Sequence, residues 1–350
     1  MPDATFLRLP CAHGSAVGRA RLRAAPEDFL VREQLGFEAD GEGEHLLVKV
    51  RKRGANTLWV AKQLARLGKL DPRDIGFAGL KDRDAVAEQF FTLPARSAID
   101  QWIGLGGDGF EVLAADRHRR KLKRGALRGN EFEIVLRGFE GDRPALEQRL
   151  QSIALRGAPN YFGPQRFGRE GRNLAAAHAW FSGGPAPQRV ERGFALSAAR
   201  AAIFNAVLAA RVGNATWDRV EPGDVLNLDG SGSIFAVDEI NEALHERCAT
   251  CDVHPTGPLW GAGAPATSAG VGELELRIAD AHVELSEGLA RAGLTHERRA
   301  LRVAAQGLEW AMDGVDVYLR FRLTRGAFAT AVLHELIENA FSSEAPDCGE

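Results

Sequence analysis

The sequence predicts a mixed fold in which helices and strands alternate along the chain. Residues 46–52 (LLVKVRK) alternate apolar and polar side chains, as a half-buried strand does. Residues 57–68 (TLWVAKQLARLG) instead repeat apolar side chains at helical spacing. A second strand and helix follow at residues 131–138 and 144–157. The first half of the chain is therefore predicted to be mixed α and β.

Local signals predict where the helices begin and end. Asn56 is a suitable N-cap for the first helix, and Gly68 is a suitable stop. Asp142 stands near the start of the second helix, with a proline in its first turn. Ser197 is expected to cap a third helix, over residues 197–212.

The second half of the chain is less regular. Residues 224–228 (DVLNL) and 233–237 (SIFAV) are predicted to be short strands around a DGSGS turn. Residues 254–272 are rich in Gly, Pro and Ala and are expected to be irregular. Residues 315–323 (VDVYLRFRL) alternate strictly, which predicts a half-buried strand that could join the sheet of the first half.

Composition limits the class of protein. The 350 residues are 45% hydrophobic, enough for one large domain or two ordinary ones. We expect a soluble cytoplasmic protein, because no apolar run reaches membrane-spanning length and the first residues lack a signal-peptide pattern. Four scattered cysteines do not form a disulfide framework. No P-loop motif and no GxGxxG directly after a predicted strand appear, so no nucleotide cofactor is expected.

Residues 117–128 (RHRRKLKRGALR) form a basic segment in a chain whose net charge is only −3. The segment contains no carboxylate, and its cations are Arg117, Arg119, Arg120, Lys121, Lys123, Arg124 and Arg128. Such a local positive field attracts phosphate backbones. The alternative is an ordinary solvated loop.

Asp82 stands between Lys81 and Arg83, on a turn after a short apolar element. It is either a surface ion-pair partner that contributes almost nothing, or a carboxylate that a cation keeps ionised for use as a nucleophile or base. Asp84 together with Asp82 would suggest a glycosidase pair. Aromatic residues make up only 7% of the chain, and nothing else indicates a sugar cleft.

A metal site is conceivable where histidines and cysteines recur at a spacing of three residues: His245, Cys248, Cys251 and His254. Zinc sites usually take two ligand pairs from separated segments, which this compact run does not provide. We therefore predict a cysteine-containing loop without a metal ion.

Residues 76–89 (GFAGLKDRDAVAEQ) resemble the AGxKDxxAxxxQ signature of the TruD family of tRNA pseudouridine synthases. Other segments resemble TruD segments in the same order: PEDFLVRE (26–33), GFEADGEGEHLLVKV (36–50), RGNEFEIVLR (128–137), PNYFGPQRFGR (159–169), LSAARAAIFN (196–205) and GAFAT (326–330). The resemblance spans nearly the whole chain.

The resemblance implies an α+β fold, with a pseudouridine synthase catalytic domain built on a mixed, mainly antiparallel sheet. That domain is expected over residues 1–156 plus 304–350, interrupted by an inserted α/β TRUD domain over residues 157–303. It also implies that the protein isomerises uridine to pseudouridine in tRNA, at position 13 of the D arm, without cofactor or metal. We expect the protein to act as a monomer.

The resemblance assigns the catalytic role to Asp82. It places Arg23 beside this carboxylate, where the family commonly has a lysine, and Lys81 is adjacent in sequence. The residues expected to line the pocket for the flipped uridine are Phe29, Asn130, Phe132 and Phe328. Phosphate contacts are expected from the basic segment and from Arg166 and Arg169.

Some alternatives remain open at this point. Asp82 either attacks the anomeric carbon of the ribose or removes a ribose proton to give a glycal. Each of these phenylalanines could instead be an ordinary core residue without contact to the substrate. A protein that binds or refolds RNA without modifying it is the second functional hypothesis.

Overall fold

The computed structural model of the protein describes residues 9–96, 98–338 and 340. The strands in these ranges are β1 (Gly18–Leu22), β2 (Phe29–Leu35), β3 (His45–Arg53), β4 (Gly76–Phe77), β5 (Val86–Pro94), β6 (Gly106–Gly107), β7 (Phe110–His118), β8 (Leu127–Gly141), β9 (Ala158–Pro159), β10 (Val225–Leu228), β11 (Ile234–Ala236), β12 (Val253–Leu259), β13 (Glu297–Ala300), β14 (Arg302–Val303), β15 (Gln306–Asp313) and β16 (Asp316–Thr324). The α-helices are α1 (Thr57–Gly68), α2 (Arg143–Arg156), α3 (Arg172–Phe181), α4 (Arg189–Gly213), α5 (Glu242–Ala249), α6 (Ala269–Ala281), α7 (Val283–Arg291) and α8 (Ala329–His334).

The chain divides into two compact units. The first, called here the sheet unit, consists of Arg19–Glu140 and Gln306–Gly326. The second, called here the helical unit, consists of Gly141–Ala305 together with the described residues before Arg19 and after Gly326. The predicted catalytic and TRUD domain boundaries at residues 157 and 304 remain predictions, and the compact units have their own limits.

One sheet dominates the sheet unit. Its strand order is β15-β16-β8-β2-β5-β3-β7-β6, with β1 beside β8 and β4 beside β5. Strands β2 and β5 run parallel, and the other neighbouring strands in this order run antiparallel. Helix α1 packs its apolar side, including Val60 and Leu64, against Val48, Phe91 and Val112 of the sheet. The predicted mixed, mainly antiparallel sheet is confirmed.

The helical unit is built around α4. This helix contributes Ile203, Phe204 and Leu208 to a core that also contains Phe167 and Trp217. Strands β11, β10, β12 and β13 form an antiparallel sheet in that order, and β9 pairs with β14.

Several elements lie where the sequence predicts them. Helix α1 begins after Asn56, whose side-chain oxygen accepts the Trp59 N–H at 2.8 Å. Asp142 caps α2 in the same way, accepting the Ala145 N–H at 2.9 Å. Strand β16 pairs with β8 and so joins the sheet of the first half, as expected.

Two predictions about elements are wrong. Helix α4 starts at Arg189, so Ser197 lies inside the helix and is not its cap. Residues 253–259 are a buried strand, β12, in spite of two prolines and a glycine. Proline lacks only the donor, and the Pro255 carbonyl still accepts the Leu301 N–H at 2.8 Å. The glycine leaves space where the Phe204 ring packs closely against the strand.

Helix α4 is also long and apolar enough to cross a membrane, judged by length and hydropathy alone. Half of its most apolar stretch is buried inside the protein, and a core helix of a water-soluble protein meets the same two criteria. The helix is therefore weak support for a membrane span.

Candidate active site

Asp82 lies in the loop between β4 and β5. Val86, the first residue of β5, pairs with Leu30 of the parallel strand β2. The loop therefore enters the sheet at the end where β2 also begins. The Asp82 side chain is 49% exposed, so a ligand can reach its carboxylate from solvent.

Arg23 is the cation that pairs with Asp82. Its Nη2 lies 2.7 Å from Oδ2 of Asp82, and its Cζ lies 4.2 Å from the centre of the Phe29 ring. The backbone of Arg23 has a φ of 58°, a left-handed conformation that residues other than glycine seldom adopt. Such strain persists only where the surrounding contacts hold it, and it is frequent at functional sites.

Aromatic rings continue from Arg23 along the sheet. Phe29 makes an edge contact with Phe132 at 6.0 Å between ring centres, and Phe132 stacks on Phe321 at 5.5 Å. Phe29 and Phe132 are only 3% and 6% exposed, so most of both rings belongs to the protein core. The base-stacking role predicted for Phe132 remains a prediction, and Phe321 is a neighbour that sequence reasoning did not identify.

Asn130 occupies β8 opposite Glu33 of β2 and Leu323 of β16. Its side-chain oxygen is buried and has no hydrogen-bond partner among the described residues. A buried acceptor without a donor costs about 1–3 kcal/mol. Asn130 therefore offers an acceptor that a bound ligand with an N–H group can satisfy.

Lys81 does not pair with the adjacent Asp82. Its ammonium lies 2.9 Å from Oε1 of Glu33, and both side chains are almost completely buried. The other oxygen of Glu33 accepts the Phe90 N–H at 2.9 Å. These contacts fix the start of the loop to strands β2 and β5, and the substrate-binding role predicted for Lys81 remains a prediction.

Lys52 lies beneath the loop and was missed by the sequence analysis. Its ammonium donates to the carbonyl oxygens of Asp82 at 2.5 Å and of Ala55 at 2.7 Å, and the residue is 1% exposed. Burial lowers the pKa of Lys52 to about 8, against the charge of Asp82, which acts in the opposite direction. The alternation of buried and exposed side chains in β3 could have indicated that Lys52 is buried, because it follows Val48 and Val50 on the buried side of the strand.

A chain of hydrogen bonds holds the loop from α1 and β5. The Thr57 hydroxyl accepts the Lys81 N–H at 2.9 Å and donates to Gln89 at 3.0 Å. Gln89 in turn donates to the Gly79 carbonyl at 2.6 Å. Thr57 and Gln89 were also not identified from the sequence, since they lie 32 positions apart.

The basic segment begins in β7 and continues into the loop before β8. Arg120, Lys123 and Arg124 are exposed, and Arg124 lies over the Phe77 ring with its Cζ 5.3 Å from the ring centre. Lys121 donates to the Arg73 carbonyl at 2.5 Å, and Arg117 donates to the Gly43 carbonyl at 3.4 Å.

One cation of this segment has a carboxylate partner from elsewhere in the chain. Arg119 forms an ion pair with Glu42, which lies 77 positions away. The remaining cations keep it basic.

Three predicted residues belong to the helical unit: Arg166, Arg169 and Phe328. Arg169 is exposed, Arg166 is partly buried, and Phe328 is 40% exposed. Their predicted place around the substrate remains a prediction.

Two of the residues considered as metal ligands, His254 and Cys248, make other contacts. His254 has Asp229 on one ring nitrogen at 3.0 Å and Arg302 on the other at 3.0 Å. The Cys248 thiol donates to the Asp218 carbonyl at 3.3 Å. In the described ranges, no group of three or more His, Cys, Asp or Glu side chains could hold a metal ion.

A family model for tRNA pseudouridine synthase D (TruD) matches residues 12–176 and 186–336 of the chain. The chain belongs to the TruD family. It thereby belongs to the tRNA pseudouridine synthases, which are isomerases. The matched ranges include the Asp82 loop, Asn130 and Phe328.

Other TruD-family proteins resemble the chain over nearly its full length. The tRNA pseudouridine synthase D of Xanthomonas campestris pv. campestris (strain 8004) is 48% identical over 347 residues, covering 94% of both chains. That of Nitrosococcus oceani is 47% identical over 325 residues, covering 91% of this chain and 90% of its own. That of Methylococcus capsulatus is 46% identical over 340 residues, covering 95% of both.

The fold has a counterpart among solved structures. A crystal structure assigned as tRNA pseudouridine synthase D (TruD) from Methanosarcina mazei matches with a TM-score of 0.76 at 22% identity. The match covers 96% of this TruD-family chain and 97% of the other, so the fold extends to a distant sequence.

Proposed function

We propose that the protein isomerises the uridine at position 13, in the D arm of tRNA, to pseudouridine, with the carboxylate of Asp82 acting on the ribose. The observation that carries the proposal is the ion pair between Asp82 and Arg23, formed on a half-exposed loop that buried contacts hold in place. Membership of the TruD family supports the reaction type.

The reaction exchanges one glycosidic bond for another. The bond between C1′ of the ribose and N1 of uracil breaks, the base turns, and a bond forms between C1′ and C5. The hydrogen on C5 is then lost to solvent as a proton, and N1 gains a proton. Atoms and electrons balance without an oxidant or an energy donor, so the proposal includes no cofactor.

Asp82 can start this reaction in two ways. Its carboxylate attacks C1′, or it removes a proton from the ribose to give a glycal. Both routes need a carboxylate in a defined position, and the guanidinium of Arg23 at 2.7 Å holds it by a charge-assisted hydrogen bond.

Asn130 is the proposed partner of the uracil edge. The uridine must leave its stack to reach a carboxylate, which exposes its N3–H donor. The buried oxygen of Asn130 lacks a donor among the described residues and is suited to accept this N–H. In the proposal, Phe132 provides an apolar contact for the base.

The basic segment is the proposed contact for tRNA phosphates. Its exposed cations supply affinity that does not depend on RNA sequence. We also propose that the protein acts in the cytoplasm as a monomer.

Release of tritium from tRNA that carries [5-³H]uridine tests the catalytic part of this proposal. The wild-type protein should release tritium, and Asp82→Asn should lower the rate by at least about 100-fold, because a general base or nucleophile is lost. Asp84→Asn, two residues away, should keep a rate near that of the wild type. Equal rates for Asp82→Asn and the wild type would remove Asp82 from the mechanism.

A protein that binds tRNA tightly but releases no tritium would instead support the RNA-binding hypothesis. Filter binding with the same tRNA separates this outcome from a misfolded preparation.

A further inference from the structure

Two arginines of the helical unit share the same pair of aromatic rings. Cζ of Arg299 lies 4.3 Å from the centre of the Phe162 ring and 5.9 Å from that of Phe328. Cζ of Arg166 lies 5.0 Å and 5.9 Å from the same two centres. These four residues are called here the Arg–Phe cluster. Arg299 is the member that sequence analysis did not identify.

Each guanidinium group of the cluster donates a hydrogen bond to a neutral polar side chain. Arg166 donates to the Ser197 hydroxyl at 2.9 Å, and Arg299 donates to the side-chain oxygen of Asn160 at 2.6 Å. Asn205 fixes the backbone of Phe162 by accepting its N–H and donating to its carbonyl, each at 2.9 Å. Ser197 inside α4 therefore positions an arginine.

These contacts also explain why several sequence segments meet. The cluster combines residues of PNYFGPQRFGR (159–169) and GAFAT (326–330), and side chains of LSAARAAIFN (196–205) hold it in place. The segments converge on Phe328, whose ring is 40% exposed, while Phe162 is 7% exposed. Phe162 thus forms the buried part of the cluster, and the Phe328 ring is its accessible aromatic surface.

The electrostatics of the cluster favour an anion. Burial, together with the neighbouring charge of Arg166, lowers the pKa of Arg299 to about 9. Both guanidinium groups remain charged at pH 7, so two like charges are held close together at a partly desolvated site. Within the described ranges, no carboxylate forms an ion pair with Arg166. A negative ligand beside Arg166 would gain charge-assisted hydrogen bonds.

We propose that the Arg–Phe cluster binds one phosphodiester group of the tRNA through both arginines, with the adjacent nucleotide against the Phe328 ring. Guanidinium groups match the geometry of phosphate oxygens, and exposed aromatic rings stack on unpaired bases. The inference rests on the proposed tRNA activity and adds a defined phosphate site to it.

Binding of unmodified tRNA, measured in an Asp82→Asn background that prevents turnover, tests the site. Arg166→Met and Arg299→Met should each weaken binding about tenfold, because each removes charged hydrogen bonds to one phosphate. The slope of log affinity against log salt should decrease by about 0.7–0.9 in each variant. The double variant should bind little worse than either single variant, because both arginines serve the same group.

A neutral linkage tests the identity of the ligand. Replacing single phosphates of the tRNA by methylphosphonate should reveal one linkage whose change weakens binding to the Asp82→Asn protein. The same change should have no further effect on the Arg166→Met form. Arg291→Met, which removes an exposed arginine paired with Glu287 on α7, is the control and should bind as its parent does.

Several outcomes would overturn the inference. Unchanged affinity and unchanged salt slope for Arg166→Met, which is only partly buried, would do so even if Arg299→Met failed to fold. Losses that multiply in the double variant would show two separate contacts. If wild-type protein releases tritium from tRNA while the cluster variants bind normally, only the phosphate site fails. If wild-type protein neither binds nor modifies tRNA, the proposed function fails.

Discussion

Arg23 makes two contacts that a lysine would not make together. Its planar guanidinium pairs with Asp82 at 2.7 Å while its flat face lies on the Phe29 ring. A lysine ammonium is a point charge on a flexible chain, which keeps the charge but not the stacking. The carboxylate is thus held by a cation that is itself held by the sheet.

Two replacements of Arg23 should therefore distinguish the effect of its positive charge from the effect of its stacking on Phe29. Arg23→Met should lower kcat for tritium release about 100-fold or more, because Asp82 loses its counterion, and Arg23→Lys should retain part of the rate. Arg19→Met is a matched control, since Arg19 lies on β1, shortly before Arg23, and pairs with Glu140 at the surface. An Arg23→Met protein with the kcat of the wild type would show that the ion pair is not used.

Lys52 predicts a dependence of stability on pH. Its pKa of about 8 in the folded protein lies below the ordinary value of 10.5, so the unfolded chain binds more protons between these two pH values. Stability contributed by this group therefore rises with pH across that range. Relative to Lys52→Met, the wild-type free energy of unfolding should increase by about 1–3 kcal/mol from pH 8 to pH 10.5.

Urea unfolding at both pH values measures this difference. Val50→Ala truncates a buried side chain of the same strand that does not titrate, so its free-energy cost should be equal at both pH values. If wild type and Lys52→Met differ in free energy of unfolding by the same amount at both pH values, the lowered pKa of Lys52 is contradicted.

At the scale of elements, the short strand β4 positions the loop by close packing. A Cβ at Gly76 would lie 2.4 Å from the Thr92 hydroxyl oxygen and 2.7 Å from the Leu122 carbonyl oxygen. The same Thr92 hydroxyl accepts the Leu122 N–H at 2.8 Å. Gly76 therefore lets the basic segment, β4 and β5 meet just before Asp82.

Gly76→Ala should disturb this packing. We expect a loss of about 1–3 kcal/mol in the free energy of unfolding, together with slower tritium release, because the backbone must shift. Gly107→Ala in β6 is the control, since its Cβ would meet no atom within 4 Å and the cost should stay within about 0.5 kcal/mol. Equal costs for the two variants would show that β4 does not depend on this contact.

Elements with strong local signals were predictable, and those determined by distant partners were not. Helix α1 and strand β16 follow from periodicity, and Asn56 follows from capping chemistry. Strand β12 was missed because its hydrogen bonds come from strands on both sides, which outweigh the proline content. Ser197 was misassigned because a serine that binds a distant arginine has the same local sequence as a helix cap.

The candidate site shows the same limit. Asp82 was identified from its motif. Lys52 was missed, although its position on the buried side of β3 was a signal for it. The pairing of Lys81 with Glu33 could not be predicted, because 48 residues separate them and either Lys81 or Arg23 could have served Asp82. Arg299 likewise had no local signal, since its ring contacts come from residues 162, 204 and 328.

At the scale of the whole molecule, net charge conceals where RNA would bind. The chain has 44 Lys and Arg residues and 47 Asp and Glu residues, which gives −3 in total. The basic segment and the Arg–Phe cluster nevertheless concentrate positive charge. Total charge is therefore a poor guide to an RNA-modifying protein, and the position of charges in the fold is a better one.

The most direct measurement is a map of pseudouridine in tRNA that lacks the modification, made after incubation with wild-type protein or Asp82→Asn. Carbodiimide treatment followed by reverse transcription gives a stop at each pseudouridine. The account predicts a wild-type stop at position 13 and no stop with Asp82→Asn. A stop at another uridine would contradict the proposed site, and an equal stop with both proteins would contradict the role of Asp82.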